Sequence, residues 1–215
     1  VLRIGEHSPK SELDFFLLHV ARARATSILT TGRILREEPS LHYDLGVAAG
    51  FAPALEDYRR RNVGLSSRPR LVVVTRGDDL PFAHPALHGW ARPTLFVPET
   101  APASLEDVGA MHAVGVRRFA TLDLDGVLEA LLEEGEQTIS IEAGVATTAE
   151  RYARGSGFDE LVLGRVLGSS IDARAIGAPF PDHDVLERYY GPPTGEIHVV
   201  EPSGPWSFAR YRRDR

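Results

Sequence analysis

Three short stretches combine small residues, hydroxyls and charge in the way a ligand-binding turn requires. The first runs Ile139-Ser140-Ile141-Glu142-Ala143-Gly144 and continues as Val145-Ala146-Thr147. Small residues after an apolar strand let a ligand approach the backbone, and the free N–H groups of a following helix favour a phosphate. The stretch also fits a plain tight turn in which Gly144 supplies an unusual backbone angle. The second, Thr30-Thr31-Gly32, again sets hydroxyls and a glycine after an apolar run. The third is Val74-Thr75-Arg76-Gly77, where Arg76 suits a two-pronged grip on an extra phosphate. Each alone also reads as ordinary turn chemistry. Their convergence at one sheet end is the expectation to test.

Other chemistry is thinner. Glu37-Glu38-Pro39 sets paired carboxylates before a proline, and Glu38 is placed to accept hydrogen bonds from a polar substrate, or simply to end a helix in solvent. Eight histidines are scattered, and only His84 and His88 have helical ligand spacing, with no carboxylate partner in a metal motif. No metal site is expected. The dinucleotide fingerprint of spaced glycines, the phosphate-binding lysine loop and the serine-hydrolase elbow are all missing. The sequence has no cysteine, which removes disulfides, thiolate ligands and cysteine nucleophiles. Its only lysine, Lys10, lies in a polar segment unsuited to Schiff-base chemistry.

The elements that must position these turns follow from periodicity. Helix patterns cover Leu13–Arg24, Arg33–Glu38, Ala54–Asn62, Leu105–Ala113, Leu124–Glu133 and Thr147–Arg154. Strand patterns cover Ser27–Thr30, Arg70–Thr75, Thr94–Val97, Val116–Ala120, Thr138–Glu142 and Leu161–Val166. Arg70–Thr75 is β-branched and continuous, as in a strand buried on both faces. After Pro179 turn residues surround two more strands, Glu196–Glu201 and Trp206–Tyr211, suited to an antiparallel hairpin. Alternating strands and helices predict an α/β fold: a mostly parallel central sheet flanked by helices, finished by that hairpin at its edge.

Composition bounds the function. A chain of 215 residues with 43% hydrophobic content fits one globular domain spanning residues 1–215. A formal charge of -6 without a basic stripe argues against nucleic-acid binding. The first ten residues lack a signal-peptide layout, and no apolar run is long enough to span a bilayer, so a cytoplasmic protein without membrane attachment is expected.

The stretch Ile141–Gly168, with Glu142-Ala143-Gly144 at a strand end and Asp159-Glu160-Leu161 opening the next strand, resembles the reductase domain of bacterial riboflavin biosynthesis proteins, which have the dihydrofolate reductase fold. Upstream, Arg22 or Arg24, Ile28, Thr30, Leu35, Glu38, Pro39 and Leu41 fill matching places, as do Arg70–Thr75 and Leu122-Asp123-Leu124. The resemblance implies an NADPH-dependent reductase that passes hydride to the ribosyl carbon of a phosphorylated ribosylaminopyrimidine, paired as a homodimer. It implies cofactor contacts at Thr30, Thr31, Gly32, Thr75, Glu142, Ala143, Gly144 and Val145, to which Arg76 is added for the 2′-phosphate. Glu38, Pro39 and Leu41 would face the substrate, and no residue is assigned as catalytic.

The sequence also departs from that pattern. Glu38 replaces a shorter residue, Val145 a proline, and His42-Tyr43-Asp44 stands where a phosphate-holding arginine is usual. The resemblance places Val1 just beyond the family's opening strand. These departures leave a second expectation: a non-catalytic paralogue keeping the fold as a nucleotide-binding or dimerisation module.

Overall fold

The computed structural model describes residues 8–168 and 183–213. They divide into two compact units, one formed by Phe16–Gly144, the other by Val145–Arg215 with Val1–Phe15.

The Phe16–Gly144 unit is built on five parallel strands. These are β1 (Ser27–Thr31), β2 (Arg70–Val74), β3 (Arg92–Pro98), β4 (Gly115–Phe119) and β5 (Ile139–Ile141), in the order β4-β3-β2-β1-β5. All four pairings are parallel, with Ile28 opposite Leu71 and Ser140, and Val73 opposite Leu95. Alternation along the strands sends residues to two separate cores. Ile28, Leu71, Val73, Leu95 and Val97 pack on one side, while Leu29, Val72 and Phe96 meet Val127 and Leu131 on the other. Each fully buried side chain of this size stabilises the fold by about 1.5–3 kcal/mol. The continuous apolar reading of Arg70–Thr75 thus has its cause: both faces of β2 are covered.

Helix α1 (Glu12–Arg24) precedes β1, α2 (Gly32–Glu37) follows it, and α3 (Ala52–Tyr58) runs into a π-helical turn, Arg59–Val63. Arg59 is buried and donates to the carbonyls of Ala23 and Ala25 at 2.9 and 2.6 Å, satisfying acceptors that the end of α1 leaves open. The remaining helices of this unit are α4 (Leu105–Met111) and α5 (Leu124–Glu133), the latter capped by Asp123, whose Oδ1 accepts from the Gly126 N–H at 2.7 Å.

The other unit holds α6 (Val145–Ala153), β6 (Glu160–Val166), α7 (His183–Tyr190), β7 (Gly195–Glu201) and β8 (Gly204–Arg212). Its sheet is antiparallel, ordered β6-β8-β7, and covers a core of Tyr152, Leu186, Tyr190, Ala209 and Tyr211. The hairpin expected from the sequence is present as β7 and β8. It does not close the parallel sheet, however: β8 pairs with Leu161–Val166, which the alternation rule had counted among the parallel strands. Strand–helix alternation cannot tell which sheet a strand joins. Helix α7 was also not expected, because turn residues on both sides masked an eight-residue amphipathic segment.

The first turn of α1 is held from this unit's hairpin. Ser11 Oγ donates to the Glu201 carboxylate at 2.6 Å, which also accepts the Glu12 and Leu13 N–H groups at 2.7 and 3.2 Å.

Candidate functional site

The strand order reverses at β1. The chain goes from β1 to β2 on one side and later returns to place β5 on the other. Ligands of open α/β sheets gather beyond the carboxyl ends of strands at such a reversal. Thr31-Gly32 leaves β1 there, flanked by Thr75-Arg76 after β2 and by Glu142-Ala143-Gly144 after β5. The three turns chosen from the sequence therefore meet at the C-terminal ends of three adjacent strands.

Their side chains play different parts. Thr31 caps α2, its hydroxyl accepting from the Ile34 N–H at 3.4 Å. Gly32 packs so tightly on Thr75 that an added Cβ would lie 2.6 Å from the Thr75 hydroxyl. Thr75 is buried, and its hydroxyl accepts from the Gly77 N–H at 3.2 Å. Arg76 is exposed and has no ion-pair partner among the described residues; Asp78 and Asp79 are exposed on the same loop. A second guanidinium, that of Arg36, lies 3.5 Å from the same Gly32 Cβ position and donates to the Asp78 carbonyl at 3.4 Å. Thr30 is wholly buried, and its hydroxyl accepts from Tyr43 at 2.6 Å, so this side chain serves the interior.

At β5 the carboxylate has an internal partner. Arg22 is 2% exposed and donates from Nε and Nη2 to the two Glu142 oxygens at 2.8 and 2.7 Å. Its Nη1 donates to the His42 and Asp44 carbonyls at 3.1 and 3.5 Å, and its guanidinium stacks 4.8 Å over the Tyr43 ring. Burial works against the charge of Arg22, but the hydrogen bonds and charge of Glu142, helped by Tyr43 and Asp44, outweigh it and raise its pKa. The Tyr43 phenol is pushed well up, first by burial and then by the Glu142 charge. Glu142 thus shapes the turn, while Ala143 and Gly144 carry its open side. Gly144 is exposed, its φ lies outside the left-handed region, and an added Cβ would meet nothing within 4 Å. The turn does not need glycine for its backbone angle, which removes the plain tight-turn explanation. Val145 opens α6.

Glu38 ends α2, half-buried, and its carboxylate has no hydrogen-bond partner among the described residues. Burial first and then the charge of Glu37 raise its pKa, Arg22 pulls the other way, and Glu142 adds a further push. Pro39 is exposed and Leu41 half-buried against the core under β1. Beside them a groove of about 370 Å³ is lined by Arg36, Pro39, Pro81 and His84 among others. Asp44, of the His42-Tyr43-Asp44 stretch, accepts from the Gly46 and Val47 N–H groups at 2.7 and 3.4 Å, with His19 Nε2 at 3.8 Å. It stabilises its own turn.

Thr31, Gly32, Thr75 and the Glu142–Gly144 segment, chosen from the sequence, lie at one sheet end, but the Tyr43 contact to Thr30 and the hydrogen bonds of His84 have no local signal. Arg22 carried only a signal of resemblance; its tie to Glu142 spans 120 positions and leaves no local pattern.

No protein-family model matches the sequence. No curated protein matches it either. Solved structures do. A pyrimidine reductase-like protein of Corynebacterium diphtheriae is 19% identical with a TM-score of 0.57, over 96% of this chain and 83% of that one. RibD of Acinetobacter baumannii is 15% identical with a TM-score of 0.62; the match takes in 96% of this chain and 52% of RibD, so this chain spans about half its length. The riboflavin biosynthesis reductase Rib7 of Saccharomyces cerevisiae is 12% identical with a TM-score of 0.56, over 94% and 82%. The protein therefore has the dihydrofolate reductase-like α/β fold that these solved structures share.

Proposed function

We propose that the protein is an NADPH-dependent reductase acting on a phosphorylated ribosylaminopyrimidine-type substrate. The observation that carries this reading is the meeting of Thr31-Gly32, Thr75-Arg76 and Glu142-Ala143-Gly144 at the strand-order reversal. The residues fit an elongated anionic ligand. Gly32 and Thr75 form a floor without projecting side chains, Gly144 leaves its backbone open, and Arg76 and Arg36 supply positive charge at the rim. Thr31, Gly32, Thr75, Ala143 and Gly144 would hold the cofactor, with Glu142 fixing the turn and Arg76 engaging the 2′-phosphate. NADPH, when bound, supplies the hydride. Glu38 would face the substrate with Pro39 and Leu41, its carboxyl poised to hold or release a proton, so the protein's part is positioning and charge placement.

A second reading keeps the fold as a binding or dimerisation module without turnover, and one observation favours it. The Glu142 carboxylate is engaged on both oxygens by Arg22, so its main partner is internal rather than a ligand. A cytoplasmic homodimer belongs to the first reading; a light-scattering mass of a single chain would remove the dimer.

The deciding experiment titrates NADPH and NADH against the protein by fluorescence, then follows NADPH oxidation with a ribosylaminopyrimidine phosphate. NADPH binding at least about tenfold tighter than NADH, a difference of about 1.4 kcal/mol, supports cofactor use. Turnover separates the two readings. Equal, weak binding of both nucleotides would remove the reductase reading and leave only a dimerisation module.

A further inference from the structure

His84 is 4% exposed in a segment that sequence reading assigned no role. Its Nδ1 accepts from the Ala86 N–H at 3.1 Å, capping the short 3-10 turn Pro85–Leu87. A ring nitrogen that accepts carries no proton, so the neutral ring holds its hydrogen on Nε2. That nitrogen lies 2.9 Å from the Glu38 carbonyl, and it is therefore the donor. The His84 backbone is fixed in turn, its N–H donating to the Pro81 carbonyl at 2.8 Å. The Glu38 carbonyl takes a second hydrogen bond from the Leu41 N–H at 3.0 Å, and the Glu38 N–H donates to Ile34 at 2.8 Å.

Glu38 sits where α2 stops, with φ -126 and ψ 71, outside helical geometry and just before Pro39. No helix bond holds its carbonyl. Without a partner from the 81–87 segment, that peptide would be anchored from one side only. We propose that His84 is the positioning residue for Glu38: its Nε2–H, donated to the Glu38 carbonyl, fixes the peptide from which the Glu38 carboxylate is presented at the site. This rests on the reading above only in giving that carboxylate a ligand to meet.

The two ring nitrogens can be separated by substitution. In His84→Asn the amide oxygen takes the place of Nδ1 and keeps the Ala86 cap, while the donor to Glu38 is lost. In His84→Gln the longer side chain returns an N–H to the reach of Nε2. The Glu38 carboxyl is followed by NMR titration of the ligand-free protein carrying labelled glutamate, assigned with Glu38→Gln. The charges bearing on it are Glu37 on its own helix, Arg22 of α1 and Glu142 after β5. We expect the wild-type midpoint to lie above the ordinary glutamate value, His84→Asn to bring it down toward that value, and His84→Gln to restore it in part. A merely structural role would lower thermal stability in both variants without separating them.

A midpoint unchanged in His84→Asn overturns the proposal, as does a wild-type midpoint already at the ordinary value. Because this titration needs no nucleotide, failure of NADPH to bind would remove the reductase reading and leave the His84 result standing. If NADPH oxidation is observed, His84→Asn should raise KM for the pyrimidine substrate about tenfold more than His84→Gln does.

Discussion

Arg22 meets Glu142 with two parallel hydrogen bonds of 2.8 and 2.7 Å while itself only 2% exposed. The pair binds the last turn of α1 to the end of β5, and through the His42 and Asp44 carbonyls it gathers the loop between α2 and α3 as well. Removing one partner of a buried pair leaves an uncompensated charge. Arg22→Ala should lower the unfolding free energy by about 3–5 kcal/mol in denaturant melts. Replacing both residues by methionine should cost clearly less than the sum of the single changes, since no lone charge remains buried.

The glycines of the site differ in kind. Gly32→Ala drives a Cβ to 2.6 Å from the Thr75 hydroxyl and should destabilise by about 1–3 kcal/mol, through overpacking. Gly144→Ala projects into open space, so its thermal midpoint should match wild type within about 0.5 kcal/mol of stability. Nucleotide affinity should fall in both. A Gly144→Ala protein that binds NADPH as wild type does would show that no ligand approaches this backbone.

Arg76 is exposed and follows Thr75 directly in the chain. A hydrogen bond to a charged group contributes about 1.5–3 kcal/mol. Arg76→Gln should therefore weaken NADPH by about tenfold or more and leave NADH nearly unchanged, read by paired titrations at one salt concentration. Parallel loss of both nucleotides would assign Arg76 to a part they share.

Glu38 gives the site a pH signature. Its pKa in the fold is raised above the usual 4.5, so the folded protein takes up the proton more readily than the unfolded chain. Its ionised form then disfavours folding, and that cost grows as pH rises from the ordinary glutamate value through the raised one. Below the ordinary value the cost vanishes. Glu38→Gln should be more stable than wild type at neutral pH, with the gap closing on acidification in a series of melts. A gap that widens toward acid pH would contradict the assigned sign.

Much of the parallel unit is legible in the sequence because its causes are local. Arg70–Thr75 reads as a doubly buried strand since both of its faces are covered, and Thr31-Gly32 reads as a turn since threonine caps the helix that glycine opens. What escapes depends on distant partners. Thr30 looks like a ligand hydroxyl until Tyr43 is seen to use it, and Glu142 looks like a ligand carboxylate until Arg22 is placed. His84 stands out in the sequence only by its spacing from His88, and its place is seen when its two nitrogens find Ala86 and Glu38. The partner of Leu161–Val166 is likewise invisible, because it is β8, far along the chain.

The cap on α1 has a consequence for synthesis. Ser11, Glu12 and Leu13 are held by Glu201, about 190 positions later, so this helix start acquires its acceptor only after the whole Phe16–Gly144 unit has been synthesised. The Phe16–Gly144 unit is uninterrupted and has every strand of its sheet in hand by then. Since such units fold as they emerge, the turns of the candidate site can assemble on the nascent chain before the antiparallel unit has its last strands. A truncated translation product ending before β7 would carry the candidate site and still leave the first turn of α1 without its cap.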